Sequence, residues 1–190
     1  AAMEVLQVVS NSYSATAYRG NVYSAGNDSW GRTGELFGHQ QHNIKPDIIT
    51  TAKAITNGYV QLGAVMINEK ISRIFEDKPI LTGLTYFGHP LACSVANRCL
   101  DLYLENNREV IRNCNNKGKE ILLLGKDLEN NIPIIKEYRT NGLLGCFELN
   151  NKDDDKLLEI NNDILNNNIF MFRRNNIFFT APPINIDSLI

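Results

Sequence analysis

A lysine flanked by small side chains is the residue in this chain whose surroundings point most directly to chemistry. Lys53 falls between the strand-like run Asp47-Ile48-Ile49-Thr50-Thr51 and the turn signal Thr56-Asn57-Gly58, with Ala52 and Ala54 on either side. An ammonium held where water is scarce loses hydration, its pKa falls, and the neutral amine becomes able to attack a carbonyl or carry a proton. The alternative, a lysine on a solvated polar turn, is the commoner fate of this residue type. A second stretch, Thr82 to Pro90, sets hydroxyls and the amides of Gly83 and Gly88 just before a helical pattern. Orphan N–H groups at such a helix entry suit a phosphate, and a plain helix-entry loop would use the same residues. His39 and His42 stand three apart with no further ligand at suitable spacing, so no metal centre is expected there. No GxGxxG phosphate loop or nucleophile elbow occurs.

Residues 31 to 67, through Gly-Arg-Thr-Gly-Glu-Leu-Phe, Lys-Pro-Asp-Ile-Ile-Thr-Thr-Ala-Lys-Ala and Leu-Gly-Ala-Val, closely resemble the lysine segment of class III aminotransferases. Two later blocks, Gly83-Leu84-Thr85-Tyr86-Phe87-Gly88-His89-Pro90-Leu91-Ala92-Cys93 and Arg174-Asn175-Asn176-Ile177-Phe178-Phe179-Thr180-Ala181-Pro182-Pro183, follow in the family's order. The resemblance runs from about Trp30 to Ile190 and corresponds to the C-terminal part of a typical member. It implies the α/β aspartate-aminotransferase-like fold (fold type I), present as part of the large domain followed by a small α+β domain. It also implies pyridoxal 5'-phosphate as cofactor and transfer of an amino group between an amine or omega-amino acid and a 2-oxo acid. By resemblance, Lys53 forms the aldimine with the cofactor and shuttles the proton. Thr85 would meet the cofactor phosphate of the neighbouring subunit in a homodimer, and Arg174 would meet the substrate carboxylate, for which a guanidinium fork has the right shape. Arg174 reads equally as a rim arginine in a solvated ion pair, since Arg173 sits beside it.

One departure matters more than the others. The family carries an Asp-Glu pair shortly before its Gly-Arg-Thr-Gly block, and that pair falls here on Ser24 and Ala25. The aspartate normally faces the protonated ring nitrogen and sustains the cofactor as an electron sink. A second reading therefore stands beside the first: an inactive fragment that keeps the fold, with dimerisation or cofactor binding as its remaining roles. The match ends abruptly before Trp30, the edge that a shifted reading frame over residues 1–29 would leave.

The elements that must position these residues are legible from pattern. Domains are expected at 30–104 and 105–190, after an unmatched segment 1–29. A weak strand is expected within residues 1–10, followed by loop, then strands over 47–51 and 61–67 with Lys53 on their connection. A short helix should start at the Asn68 cap, with Ile71, Ile74 and Phe75 on its buried face. Helices are predicted over 91–104, over 109–130 with Val110, Cys114, Lys117, Ile121, Leu124 and Leu128 as the apolar stripe, and over 153–166. Strand pairs are expected at 132–139 with 143–149, through Thr140-Asn141-Gly142, and at 169–172 with 177–180. The 190 residues are 43% hydrophobic, enough for a real core, and a net charge of −2 gives no electrostatic footprint for nucleic acid or an anionic membrane. Cys93, Cys99, Cys114 and Cys146 form no CxxC pair and read as reduced thiols, so a cytoplasmic setting and small-molecule partners are expected.

Overall fold

The computed structural model describes residues 5–6, 24–26, 30–42 and 45–187, with residues 5–6, 24–26 and His42 described by backbone alone. The chain divides into two compact units, one of Ala1–Trp30 with Leu36–Glu109 and one of Gly31–Glu35 with Val110–Ile190.

The first unit is built on a four-stranded sheet. Its strands are β1 (Val5–Leu6), β2 (Ser24–Gly26), β3 (Ile48–Ala52) and β4 (Gly63–Ile67), in the order β1-β4-β3-β2. The β-branched run Ile48-Ile49-Thr50-Thr51 favours a strand, and Ile49 and Thr51, two apart, turn to the same buried side. β3 and β4 pair antiparallel from Ile48↔Ile67 to Ala52↔Gly63, so Lys53 starts the connection between them. β2 runs parallel to β3, with Ser24 opposite Ile48 and Ala25 opposite Ile49. The rest of the strand and loop expected over residues 1–29 lies outside the described residues.

After β4 the Asn68 side chain accepts the Ile71 N–H at 3.0 Å and caps α1 (Glu69–Ser72), which tightens into a 3₁₀ turn at Arg73–Phe75. The buried face expected there is corrected: Ile74 is 61% exposed and Phe75 39%. One α-helical turn followed by 3₁₀ geometry is too short to present an i, i+3, i+4 stripe to the sheet. The long run α2 (Pro90–Asn131) leaves helical geometry at Glu105–Arg108, where Asn106, Asn107 and Arg108 have φ of 49°, 56° and 58°. Its first limb buries Ala92, Ala96, Cys99 and Tyr103 at helical spacing.

The second limb belongs to the second unit, and its buried face differs from the predicted stripe. Ile111, Cys114, Gly118 and Gly125 are inside, whereas Leu124 is 52% and Leu128 41% exposed. Two glycines set this face because neighbours approach too closely for any side chain. A Cβ on Gly118 would stand 2.7 Å from the Gly142 Cα, and one on Gly125 would stand 2.0 Å from the Tyr138 ring. The sheet here has strands β5 (Ile135–Asn141), β6 (Leu144–Leu149), β7 (Phe172–Arg174) and β8 (Ile177–Thr180), all antiparallel, ordered β5-β6-β8-β7. The first hairpin forms as expected, with Asn141 opposite Leu144 and Gly142 at φ 59°. Asp153 caps α3 (Asp154–Asn166), whose Leu157 joins Leu149 and Phe178 in the core. β7 begins three residues later than predicted. The Ile169 N–H still bonds the Ile164 carbonyl at 3.1 Å and Asn168 takes φ 61°, so these residues close the helix.

Candidate active site

Lys53 occupies an unusual backbone position. It follows the last residue of β3, opens the 3₁₀ turn Lys53–Ile55, and has φ 56°. Left-handed geometry costs a residue with a Cβ about 1–2 kcal/mol, so the surrounding structure must hold it there. The Lys53 carbonyl accepts from the Thr56 N–H at 3.2 Å and the Gly58 N–H at 3.3 Å, and the Ala54 carbonyl accepts from the Asn57 N–H at 3.2 Å. Thr56 is buried and its hydroxyl donates to the Val60 carbonyl at 2.6 Å, tying the turn to the segment that leads into β4. From the other side, the Tyr103 hydroxyl donates to the Ala54 carbonyl at 3.2 Å, and the Trp30 indole N–H donates to the Thr51 hydroxyl.

The Lys53 side chain itself is exposed, which corrects the dry setting expected for it.

Thr85 sits in the exposed run 81–90 and lines a cavity of about 820 Å³ together with Val60, Gln61, Leu84, Tyr86 and Phe87. Lys53 is not among the residues lining that cavity. Gly88 takes φ 65° just before α2, and the His89 carbonyl accepts the Cys93 N–H at 3.0 Å in the first helical turn. Arg174 is in the second unit, exposed near the end of β7 and opposite Ile177. The rim ion pair belongs to its neighbour: Arg173 bonds Asp154 at 2.8 Å. His39 is half-buried, stacked on Phe37 with ring centroids 5.6 Å apart, while the side chain of His42 lies outside the described residues. Among the described residues no cluster of three His, Cys, Asp or Glu is placed to hold a metal.

Pattern reading overlooked Trp30, Tyr103 and Thr56. Two of them left a trace in the sequence. Trp30 is the chain's single tryptophan and immediately precedes the Gly-Arg-Thr-Gly block, and Tyr103 falls on the 4-3-4 spacing of the buried face of α2.

Comparison with known proteins gives a consistent result. The sequence pattern of the family described as Aminotransferase class-III matches residues 26–187. The chain is 40% identical over 121 residues to gamma aminobutyrate transaminase 2 of Solanum lycopersicum, covering 60% of this chain and 26% of that protein. It is 41% identical over 130 residues to vanillin aminotransferase of Capsicum annuum, covering 65% and 28%. Among solved structures, it superimposes with a TM-score of 0.81 and 26% identity on taurine:2-oxoglutarate aminotransferase from Bifidobacterium kashiwanohense, solved with PLP and glutamate, over 88% of this chain and 40% of that one. A TM-score of 0.78 and 33% identity relate it to an (S)-enantioselective omega-transaminase from Thermomicrobium roseum, over 87% and 39%. The chain thus spans about a quarter of the length of these curated relatives and about two-fifths of these solved chains.

Proposed function

The chain belongs to the class-III aminotransferase family, and from that premise we propose that it supplies the lysine-bearing part of a pyridoxal-phosphate-dependent transaminase. The reaction is transfer of an amino group between an amine or omega-amino acid and a 2-oxo acid. The names of its relatives, a gamma aminobutyrate transaminase and a vanillin aminotransferase, support that substrate class. The observation that carries the proposal is the left-handed Lys53 at the end of β3, inside the matched segment. A strained backbone that so many hydrogen bonds maintain is what a functional position looks like.

The residues present fit the cofactor at its reactive end. Lys53 is an exposed residue between two alanines, so no bulky sequence neighbour blocks the approach of a carbonyl. Pyridoxal phosphate, when bound, supplies the electron withdrawal that makes an amino-bearing carbon acidic. Lys53 would hold it and carry the proton at Nζ, Thr85 would meet the phosphate of the neighbouring subunit's cofactor from its loop before α2, and Arg174 would receive a substrate carboxylate in a two-pronged contact. The large-domain portion 30–104 and small domain 105–190 remain the proposed functional division. A homodimer belongs to the proposal, supported by Leu84, Tyr86, Phe87 and Leu91, which stand exposed beside Thr85. So does a cytoplasmic setting, supported by unpaired cysteines. Among the described residues no helix is long and apolar enough to cross a membrane.

A second reading rests on β2. The strand beside the lysine strand carries Ser24 and Ala25 in register with Ile48 and Ile49, and neither can present a carboxylate to a ring nitrogen. Losing such an electrostatic partner costs on the order of 10²–10³ in rate, so this chain would bind cofactor without appreciable turnover. Adding pyridoxal phosphate and following its absorbance, then supplying an amine with pyruvate, tests both. Cofactor uptake is expected. Turnover at ordinary enzyme rates would remove the second reading, uptake without turnover would favour it, and absence of uptake would remove both.

A further inference from the structure

The buried residues around the lysine turn do more than fill a core. Trp30 and Tyr103 are 4% and 3% exposed and stack with ring centroids 5.9 Å apart and planes 24° from parallel. Each carries a polar handle, and the handles reach opposite flanks of Lys53: the Trp30 indole N–H bonds the Thr51 hydroxyl two residues before it, and the Tyr103 hydroxyl bonds the Ala54 carbonyl one residue after it. Buried aromatic rings with satisfied N–H and O–H groups are rigid anchors, because both packing and hydrogen bonding fix their position. The Ala54 carbonyl is shared with the Asn57 N–H, so the tyrosine grips the same turn whose other bonds close on the Lys53 carbonyl.

We propose that Trp30 and Tyr103 form a paired clamp, two positioning residues that hold Lys53 in its left-handed conformation and so present its amine to a carbonyl compound. The inference rests on Lys53 being the cofactor lysine and extends that reading to two buried residues that bond its neighbours. The clamp acts through the Thr51 side chain before the lysine and the Ala54 backbone after it. Its removal should therefore weaken imine formation at Lys53 while leaving other lysines unaffected.

The test compares the full chain with Tyr103→Phe and Trp30→Phe, which keep an aromatic ring and delete only the polar handle or shrink the ring. Pyridoxal phosphate is titrated at a temperature where every variant is folded, the imine is trapped with borohydride, and label is counted peptide by peptide. Lys45 and Lys70 serve as internal controls. In parallel, hydrogen exchange follows the amides of Thr56, Asn57 and Gly58, which close the turn. The expected result for Tyr103→Phe is about fivefold weaker labelling at Lys53, the effect of one buried hydrogen bond, with Lys45 and Lys70 staying at background and faster exchange at 56–58. Trp30→Phe should act in the same direction. A fall in melting temperature alone, with Lys53 labelling and exchange at 56–58 both unchanged, would reduce the pair to core packing and overturn the clamp. If the unmodified chain shows no preference for Lys53, the cofactor role and the clamp's purpose fall together, and the exchange data still show separately whether Tyr103 holds the turn.

Discussion

The two units of this chain both bury a core and expose large apolar side chains, and they differ in where the exposed ones gather. In the second unit Leu149, Leu157 and Phe178 meet between α3 and the sheet, with Ile135, Phe147, Ile160 and Ile164 packed around them. In the first unit the segment after α1 is exposed from residue 81 to 91, including Leu81 at 97%, Tyr86 at 75% and Leu91 at 60%. Both units gain stability from burial of their own side chains, and the second scatters its exposed ones, such as Leu123 at 72% and Phe170 at 82%, over the second limb of α2 and the approach to β7. In the first, buried Trp30 and Tyr103 bond the residues around Lys53, and the exposed side chains gather around Thr85.

That contrast can be broken from either side. The largest effect is expected at the lysine itself. Lys53→Gly removes the amine and places at φ 56° the one residue that adopts it without steric cost, so cofactor-derived label at this position should vanish while stability stays level or rises by up to about 1 kcal/mol. Mass spectrometry of reduced peptides and a thermal melt read the two quantities. A function-bearing strain behaves this way, whereas a structural lysine would cost stability when removed.

In the second unit the largest penalty should come from Gly125→Ala, whose Cβ would lie 2.0 Å from the Tyr138 ring. Forcing that ring aside is expected to cost about 1–3 kcal/mol in a urea titration and to leave Lys53 labelling unchanged, because the residues that tie the lysine turn belong to the first unit. Loss of label in this variant would show that the two units do not behave separately.

The smallest effect concerns pH. Arg139 at 2.8 Å and then Lys136 at 2.6 Å bond Glu148 and hold its carboxyl at about 2, below the ordinary 4.5. A carboxyl depressed in the folded state stabilises above its unfolded value, so this contribution is complete above pH 4.5 and is lost as pH falls toward 2. Glu148→Gln should flatten that part of the acid-denaturation profile, modestly, because its partners Lys136 and Arg139 are solvent-exposed.

Much of this was legible beforehand. The strands around Lys53, the hairpin at Gly142, the Asn68 cap and the helix beginning at Asp154 follow local rules of propensity, capping and turn chemistry, and those rules won. What escaped depends on contacts distant in sequence. The buried face of the second limb of α2 is set by glycines that meet Gly142 and Tyr138, and a count of apolar residues cannot see a position whose value lies in having no side chain. Membership of Gly31–Glu35 in the second unit follows from the Leu143 N–H bonding the Arg32 carbonyl at 2.9 Å, a contact across more than a hundred residues. At the site, Lys53 stood out by its neighbours, yet the dryness expected of it did not follow, since burial is set by contacts distant in sequence and the residue is exposed. Trp30 and Tyr103 left a trace in the sequence, but their bonds to Thr51 and Ala54 join residues 21 and 49 positions apart, which no local pattern reports.

The claim on which the rest depends is that Lys53 is the lysine that takes pyridoxal phosphate. Incubating the chain with the cofactor, reducing with borohydride and mapping the peptides tests it directly. The label is predicted on Lys53 alone, and a label spread over Lys45, Lys70 and Lys78 would contradict it.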